Sequence, residues 1–259
     1  MLRVARALAR VSAVQALQYR VEALGEALLT LVRVATAVVP LLVVFGQRQS
    51  VEGWTRDEML IVLGWFTFLT GVLEGTLSPS LLAVIEQVRN GTLDFVLIKP
   101  ADAQLLVSFS KLSPTRIVDL VCGLGLIVTA FVRMGRWPSP GDLALSFVLL
   151  LSALAVLYSI ALLVVSIAFV AVRVDNLFFL FTSTFDLARW PTTIFGGVLR
   201  IIFTFVLPLA LMTTVPALAV LGKLEWTNAV GALLGSVAFF LIARFVWLRS
   251  LARYTSASS

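Results

Sequence analysis

The chain has no histidine, a single cysteine, and charged side chains at only 13% of its positions. Each shortage closes a class of function. Without histidine there is no Ser/His nucleophile pair and no His-metal constellation. Cys122, inside an apolar run, leaves neither a disulfide framework nor a cysteine cluster. No two carboxylates fall at comparable depth in neighbouring apolar runs, which argues against an intramembrane enzyme. The phosphate-loop pattern G-x-x-x-x-G-K-[ST] is absent, so the usual nucleotide-hydrolysing loop is missing from this chain. Acidic residues are scarce, 14 against 20 Lys and Arg, for a net charge of +6. The basic residues are scattered at the ends of apolar runs and do not cluster with aromatics, a pattern of membrane-insertion charges and not of a nucleic-acid surface.

What the chain does have is apolar length. Hydrophobic residues make up 60% of 259 positions and the mean hydropathy is +1.03, where a soluble domain carries about half apolar and about a quarter charged residues. Long apolar runs favour helices over the alternating segments of an outer-membrane barrel. The expected fold is all-α, a polytopic membrane protein with six transmembrane helices in one domain, 1–259, since six spans of about 20 residues plus connections use the whole length. The runs are Ala27 to Phe45, Met59 to Leu77, Ile117 to Val132, Leu143 to Val172, a broken stretch from Leu177 to Leu221, and Ala229 to Leu248. Polar connections with turn residues separate them, and no period-length repeat occurs. Residues 1–20 place Arg3, Arg6 and Arg10 on one helical side and Val4, Leu8 and Val11 on the other, as in an interfacial helix. A signal peptide competes there, but the following apolar run begins too late and is too long for one.

Counting Lys and Arg puts both termini and the 78–115 loop on the cytoplasmic side. An even number of crossings then allows the 177–221 stretch only one. We place it at about Leu177 to Ala188, leaving 189–222, broken by Pro191, Gly196, Gly197, Pro208 and Pro216, as an outer hairpin dipping back into the bilayer. The opposite placement, a crossing after Arg200, has the better length. Ser78-Pro79 reads as a helix start and Asn90-Gly91 as a stop. Between them Leu81, Val84, Ile85 and Val88 share one face and Glu86, Gln87 and Arg89 the other, so a short amphipathic helix lying on the membrane is expected.

Several charged residues fall inside or at the edge of apolar runs. Arg33 and Glu74 relieve each other if paired, although their depths differ by several residues; Asp186 and Arg189 are spaced for a local pair, as are Arg116 and Asp119. Arg33, Glu74, Asp186 and Arg189 are therefore candidates either for buried helix contacts or for the lining or gate of a wet path. Gly71/Gly75 and Gly231/Gly235 allow close helix approach. The aromatics Trp65, Phe66 and Phe68, and Phe178, Phe179 and Phe181, read as packing or as an apolar substrate surface.

The segment EQVRNGTLDFVLIKP, Glu86 to Pro100, resembles the cytoplasmic signature of type-2 ATP-binding-cassette permeases, G-T-L-D…L…K/R-P after a coupling helix. WPTTIFGGVLRIIFTFVLPLALMTTVPA, from Trp190, is similar to the P…I…L…P…P stretch before their last span. The resemblance implies a six-span half-transporter and an exporter subunit of an amphipathic or hydrophobic compound, a lipid-linked glycan or a drug-like molecule. It implies a second permease chain, identical or homologous, and separate ATPase subunits that bind the ATP and Mg, with no cofactor in this chain. It makes Glu86, Gln87, Arg89, Asn90, Gly91 and Thr92 the contact residues for the ATPase, and the inner or plasma membrane of a bacterial cell the location. An ion-gradient-driven transporter and a non-exporting subunit of an ATP-driven importer are the alternatives.

Overall fold

The structure, a computed structural model, describes residues 20–100, 102–108, 110–169 and 175–252. The interfacial helix expected over 1–20 lies, except for its last residue, outside them. Among the described residues the regular structure is helical apart from one small β-hairpin. Helix α1 (Arg20–Gln47) is followed by β1 (Ser50–Val51) and β2 (Trp54–Thr55), joined by Glu52 and Gly53 at φ +49° and +80°. Positive φ at both central residues gives a two-residue turn the twist that a hairpin needs. This hairpin was not expected, because two-residue strands leave no periodicity to read.

Helix α2 (Arg56–Val72) starts at a capping box, with Thr55 Oγ1 accepting from the Glu58 N–H and the Glu58 carboxylate accepting from the Thr55 N–H. It then passes through one π turn, Leu73–Leu77, directly into α3 (Ser78–Arg89), giving an unbroken rod of 34 residues from Arg56 to Arg89. The expected helix start at Ser78 is thereby corrected. Leu77, the residue before it, is already helical, and the Ser78 hydroxyl is buried without a partner. Pro79 does not begin a helix here; it distorts one. Lacking an N–H, it cannot bond the Gly75 carbonyl one turn back, the turn widens, and that carbonyl accepts instead from the Ser113 N–H at 2.8 Å. The stop after Arg89 is as expected. Gly91 sits at φ +66°, the Gly91 N–H donates to Val88 O and the Thr92 N–H to Gln87 O, the two bonds of a Schellman cap.

Short helices α4 (Asp94–Leu97) and α5 (Ala103–Ser108) fill the connection, and α6 (Ile117–Met134) follows a 3-10 turn at Pro114–Arg116. Helix α7 (Pro140–Ala168) has its own capping box from Ser139 and Asp142, and α8 (Asp175–Phe185) runs into a 3-10 turn, Asp186–Arg189. Next come α9 (Gly197–Ile201) with its π turn Ile202–Val206, a second π turn Ala210–Thr214 leading into α10 (Val215–Val220), and α11 (Trp226–Leu251).

Among the described residues five helices are long and apolar enough to cross a membrane: Leu24–Gln47, Arg56–Arg89, Pro114–Met134, Pro140–Ala168 and Trp226–Leu251. The pair Gly197–Val206 and Ala210–Val220 makes a sixth candidate only as one span bent by 72°. Pro208 sets the bend, holding Leu207 at φ −115°, ψ 84°, outside the helical region. Both ends of this pair reach the same end of the bundle. Thr193 accepts from Trp54 Nε1 at 2.9 Å, next to the start of α2, and Gly222 lies against the Asp142 carboxylate at the start of α7. Helix α8, where we expected the crossing, is 11 residues long. It reaches the bundle's far end only with the 3-10 turn and the extended residues Trp190 and Pro191 added.

The rod α2–α3 runs through the middle. Met59, Ile61, Val62, Leu63, Leu69 and Leu73 are almost wholly buried, as expected of a helix apolar on all sides and surrounded by others. Helix α1, by contrast, exposes Leu24, Leu28, Leu31, Val39, Leu42 and Val43. An apolar face of that kind suits lipid.

Candidate functional site

The site begins with missing side chains. A Cβ on Gly64 would stand 2.6 Å from Ile127 Cγ1 and 2.7 Å from Gly123 O, one on Gly71 2.9 Å from Asp119 Cβ, and one on Gly123 2.6 Å from Gly64 O. The backbones of α2 and α6 therefore touch along their length, as small residues allow within a bilayer. Gly75 of the first Gly-x-x-x-Gly pattern belongs to this seam, facing Arg116. Gly231 of the second pattern faces nothing within 4 Å, and Gly235 meets only Leu211 Cδ1 at 3.9 Å.

This contact, together with the π turn that carries Glu74, draws charges from three helices together. Arg33 Nη1 of α1 lies 3.2 Å from Glu74 Oε2, and Arg33 Nη2 lies 3.4 Å from Asp119 Oδ1. Arg116 Nη1 lies 2.8 Å from the same Glu74 oxygen, and its Nη2 reaches Glu26 Oε2 at 3.2 Å. Thr30 completes the set, donating to Asp119 and accepting from Arg33. The expected Arg33–Glu74 pair is present. The local Arg116–Asp119 pair is the weakest link, at 3.8 Å, because Glu74 and Glu26 compete for the same guanidinium. Asp119 is 4% exposed at its side chain. A charge so enclosed costs several kcal/mol if left unpaired, and two arginines and a hydroxyl offset it.

Beside this network is a cavity of about 270 Å³. All four residues singled out in the sequence, Arg33, Glu74, Asp186 and Arg189, line it, together with Asp119 and Phe66. Arg189 pairs locally with Asp186, Nη2 to Oδ1 at 3.3 Å, and its guanidinium carbon stands 5.5 Å from the centre of the Phe66 ring. Phe66 in turn packs on Phe185, ring centres 5.3 Å apart. Of the aromatics marked in the sequence, Trp65, Phe66 and Phe181 are buried in the packing and Phe179 is exposed. Among the described residues no group of three or more His, Cys, Asp or Glu side chains is placed to hold a metal ion.

The far tip of the same rod carries the six residues that the family resemblance implies. Glu86, Arg89, Asn90 and Thr92 are exposed; Gln87 and Gly91 are half-buried. They are contiguous at one end of the bundle and none reaches the cavity. Leu93 is fully buried just past the cap and anchors the chain as it turns. Phe95 and Ile98, 68% and 78% exposed, stand next to this tip, and periodicity gave no reason to mark them.

A family model described as ABC-2 family transporter protein matches residues 31–258. The chain belongs to the ABC-2 transporter family. Neither a curated protein nor a solved structure matches it.

In this ABC-2 permease the tip is held to the rest of the bundle at three points. Ser80 Oγ donates to Lys111 O at 2.8 Å and accepts from the Lys111 N–H at 3.1 Å. The Ser113–Gly75 bond described above is the second. The third is a polar cluster that sequence reasoning missed. Arg244 of α11 donates from Nη1 to Gln104 Oε1 at 2.5 Å and from Nη2 to Asp102 Oδ2 at 3.0 Å. Gln104 Nε2 donates to Tyr158 OH of α7 at 2.9 Å, and Ser108 Oγ lies 2.7 Å from the same hydroxyl. The Arg244 guanidinium, its hydrogen bond first, holds the Asp102 carboxyl below the usual carboxylate range. The sequence signal here is Arg244 itself, a charge in the last apolar run that the Lys and Arg count takes in as one of the cytoplasmic-side charges.

At the opposite end of the permease Glu58, 5% exposed, takes Lys223 Nζ at 2.8 Å and Arg136 Nη2 at 3.7 Å, while Asp57 takes Arg133 Nε at 2.9 Å. These pairs tie the start of α2 to the α6–α7 and α10–α11 connections.

Proposed function

We propose that this permease is an export subunit in which an ABC ATPase drives the Glu86–Thr92 tip and the movement reaches the charged cavity along the α2–α3 rod. One observation carries the reading. A single unbroken helix holds both Glu74, in the cavity wall, and Glu86 and Arg89, at the exposed tip. Fifteen helical residues separate Glu74 from Arg89, about 22 Å at roughly 1.5 Å each. A helix transmits a rigid-body push over that distance, and the π turn around Glu74 is its one irregular place. Widened turns of this kind inside helices recur at functional sites.

On this reading Glu86, Gln87, Arg89, Asn90, Gly91 and Thr92 contact the ATPase, with exposed Phe95 and Ile98 adding the apolar anchors that an interface centre needs. The ATPase brings ATP and Mg. The tip is cytoplasmic, both termini lie on its side, and the 197–220 pair is a re-entrant hairpin on the outer side of the cell membrane. Arg33, Glu74, Asp186 and Arg189 line the translocation path, and a second permease chain covers the apolar face of α1. Lipid covers the remaining apolar surface.

Reconstitution with the partner ATPase tests this. Glu86→Ala and Arg89→Ala are expected to abolish the stimulation of ATP hydrolysis by the permease while the protein inserts and elutes as wild type. Full stimulation by both variants overturns the docking assignment. Undiminished transport in ATP-depleted membranes carrying an ion gradient favours a secondary transporter instead.

A further inference from the structure

We propose that the slot between α7, α11 and the Asp102–Ser108 segment binds the phosphate of a membrane phospholipid, with Arg244 as its donor. The slot is an open cavity of about 400 Å³, distinct from the charged one, lined by Asp102, Gln104, Leu105, Tyr158, Phe240 and Arg244. Its depth suits a headgroup. Arg244 lies 18 residues beyond Trp226 and Tyr158 lies 18 beyond Pro140, so both stand about 27 Å along their helices from the opposite end. That is close to the far edge of a hydrocarbon core of about 30 Å. Trp226, 72% exposed at the start of α11, fits the aromatic belt at the near edge.

The hydrogen-bond inventory selects a phosphate over an ammonium group. A guanidinium has five N–H donors; Arg244 spends one on Gln104 and one on Asp102, leaving three. Asp102 has less to spare: of the about four acceptor positions of a carboxylate, Oδ1 gives two to the N–H groups of Gln104 and Leu105 and Oδ2 gives one to Arg244, which leaves one. The Arg244–Asp102 pair therefore offers an entering molecule three open donors against one open acceptor position. Arginine's fork also matches the geometry of a phosphate. Behind Arg244 the walls turn apolar: the Tyr158 and Phe240 rings are 6.2 Å apart, and Leu105 is 42% exposed. The glycerol and the first acyl carbons would lie there. Both ends of the slot thus match one amphiphile, polar at Arg244 and apolar toward the bilayer.

The test uses the purified full-length permease in detergent, with dihexanoylphosphatidylglycerol as probe and binding read by native mass spectrometry. One lipid per chain is expected, with affinity falling by about ten-fold in Arg244→Gln. Arg244→Lys, which keeps the charge, retains part of the binding. Phe240→Ala weakens binding without touching the phosphate donor, so it guards against a folding defect in the arginine variants. Arg249→Gln, which removes an exposed charge one turn further along α11, changes nothing. The proposal is overturned if dihexanoylglycerol, without the phosphate, binds equally well, or if Arg249→Gln and Arg244→Gln weaken binding alike. Complete competition by inorganic phosphate at equal concentration also overturns it, since the occupant is then a free anion and not a lipid.

Discussion

At the scale of single residues, the central question is which charges the fold cannot spare. Asp119 and Asp186 are both aspartates beside arginines in the same cavity, yet their settings differ. Asp119 is buried at 4% exposure and touches Arg33, Arg116 and Thr30, whereas the Asp186 side chain is 59% exposed and pairs only with Arg189 three residues on. Removing Asp119 takes a buried acceptor from Thr30 and from one arm of Arg33, although Glu74 and Glu26 still pair the two arginines, while an exposed pair is screened by its surroundings. Asp119→Ala is expected to destabilise the permease by about 2 kcal/mol, the loss of its charge-assisted hydrogen bonds, and Asp186→Ala by at most about 1 kcal/mol. Thermal unfolding of both variants in one detergent decides it; an equal shift in melting temperature refutes the difference in burial. Asp102 offers a second residue-scale expectation. Its carboxyl is held below the ordinary value of about 3.9, so its bond to Arg244 contributes stability above that value and loses it as pH falls through the lower, folded one. The gap in melting temperature between wild type and Asp102→Asn should stay level from neutral pH to about pH 5 and close below about pH 4. A gap that instead opens on acidification contradicts the sign.

At the scale of elements, proline and glycine decide more than hydrophobic periodicity does. Pro79 leaves the Gly75 carbonyl without a partner one turn ahead, and the Ser113 N–H supplies it. Pro79→Ala restores that intrahelical donor, and the expected result is a regular turn in place of the widened one, release of Ser113, and Glu74 rotated away from Arg33. Losing one net hydrogen bond, about 1 kcal/mol, corresponds to roughly five-fold faster amide exchange at Ser113. Unchanged exchange there means that the proline does not cause the widened turn. The same element shows the limit of reading the sequence. Ser78-Pro79 has the composition of a helix start, and only the packing of α6 and the 111–113 segment against this turn makes it the interior of a longer rod. By contrast, Asn90-Gly91 was legible as a stop because a left-handed residue after a helix is a local requirement. Four long apolar helices, α1, α6, α7 and α11, were legible from run length alone, and so were Arg33 and Glu74, since charges in such runs demand partners. Gln104, Tyr158 and Asp102 were not. Each is an ordinary residue for its segment, and the cluster exists only because α5 folds back on α7 and α11.

At the scale of the whole molecule, the bundle has two unlike ends. One carries the β-hairpin, Glu58 with its two cations, and the starts of α7 and α11; the other carries the α3 tip and the Arg244 cluster. The bent pair from Gly197 to Val220 determines how many times the chain crosses between them. Its hydrogen bonds favour entry and exit at the hairpin end: Thr193 to Trp54 on one side, and Thr213 to Ala188 and Ser146 to Pro216 on the other. Gly196 and Glu225 flank the pair and are exposed, and Gly196 keeps an ordinary φ of −92° with nothing within 4 Å of a Cβ. Cysteines at both positions, in a Cys122→Ser background, are therefore tolerated and reachable. A re-entrant hairpin predicts that a membrane-impermeant maleimide labels Gly196→Cys and Glu225→Cys from the same, outer face, and Gln87→Cys only from the cytoplasmic face. A full crossing by the bent pair predicts that the first two label from opposite faces. That result would place the 72° bend inside the bilayer as a broken span and shift one terminus to the other side. Labelling of Gln87→Cys from outside would invert the whole arrangement and leave the rod's tip beyond the reach of any ATPase.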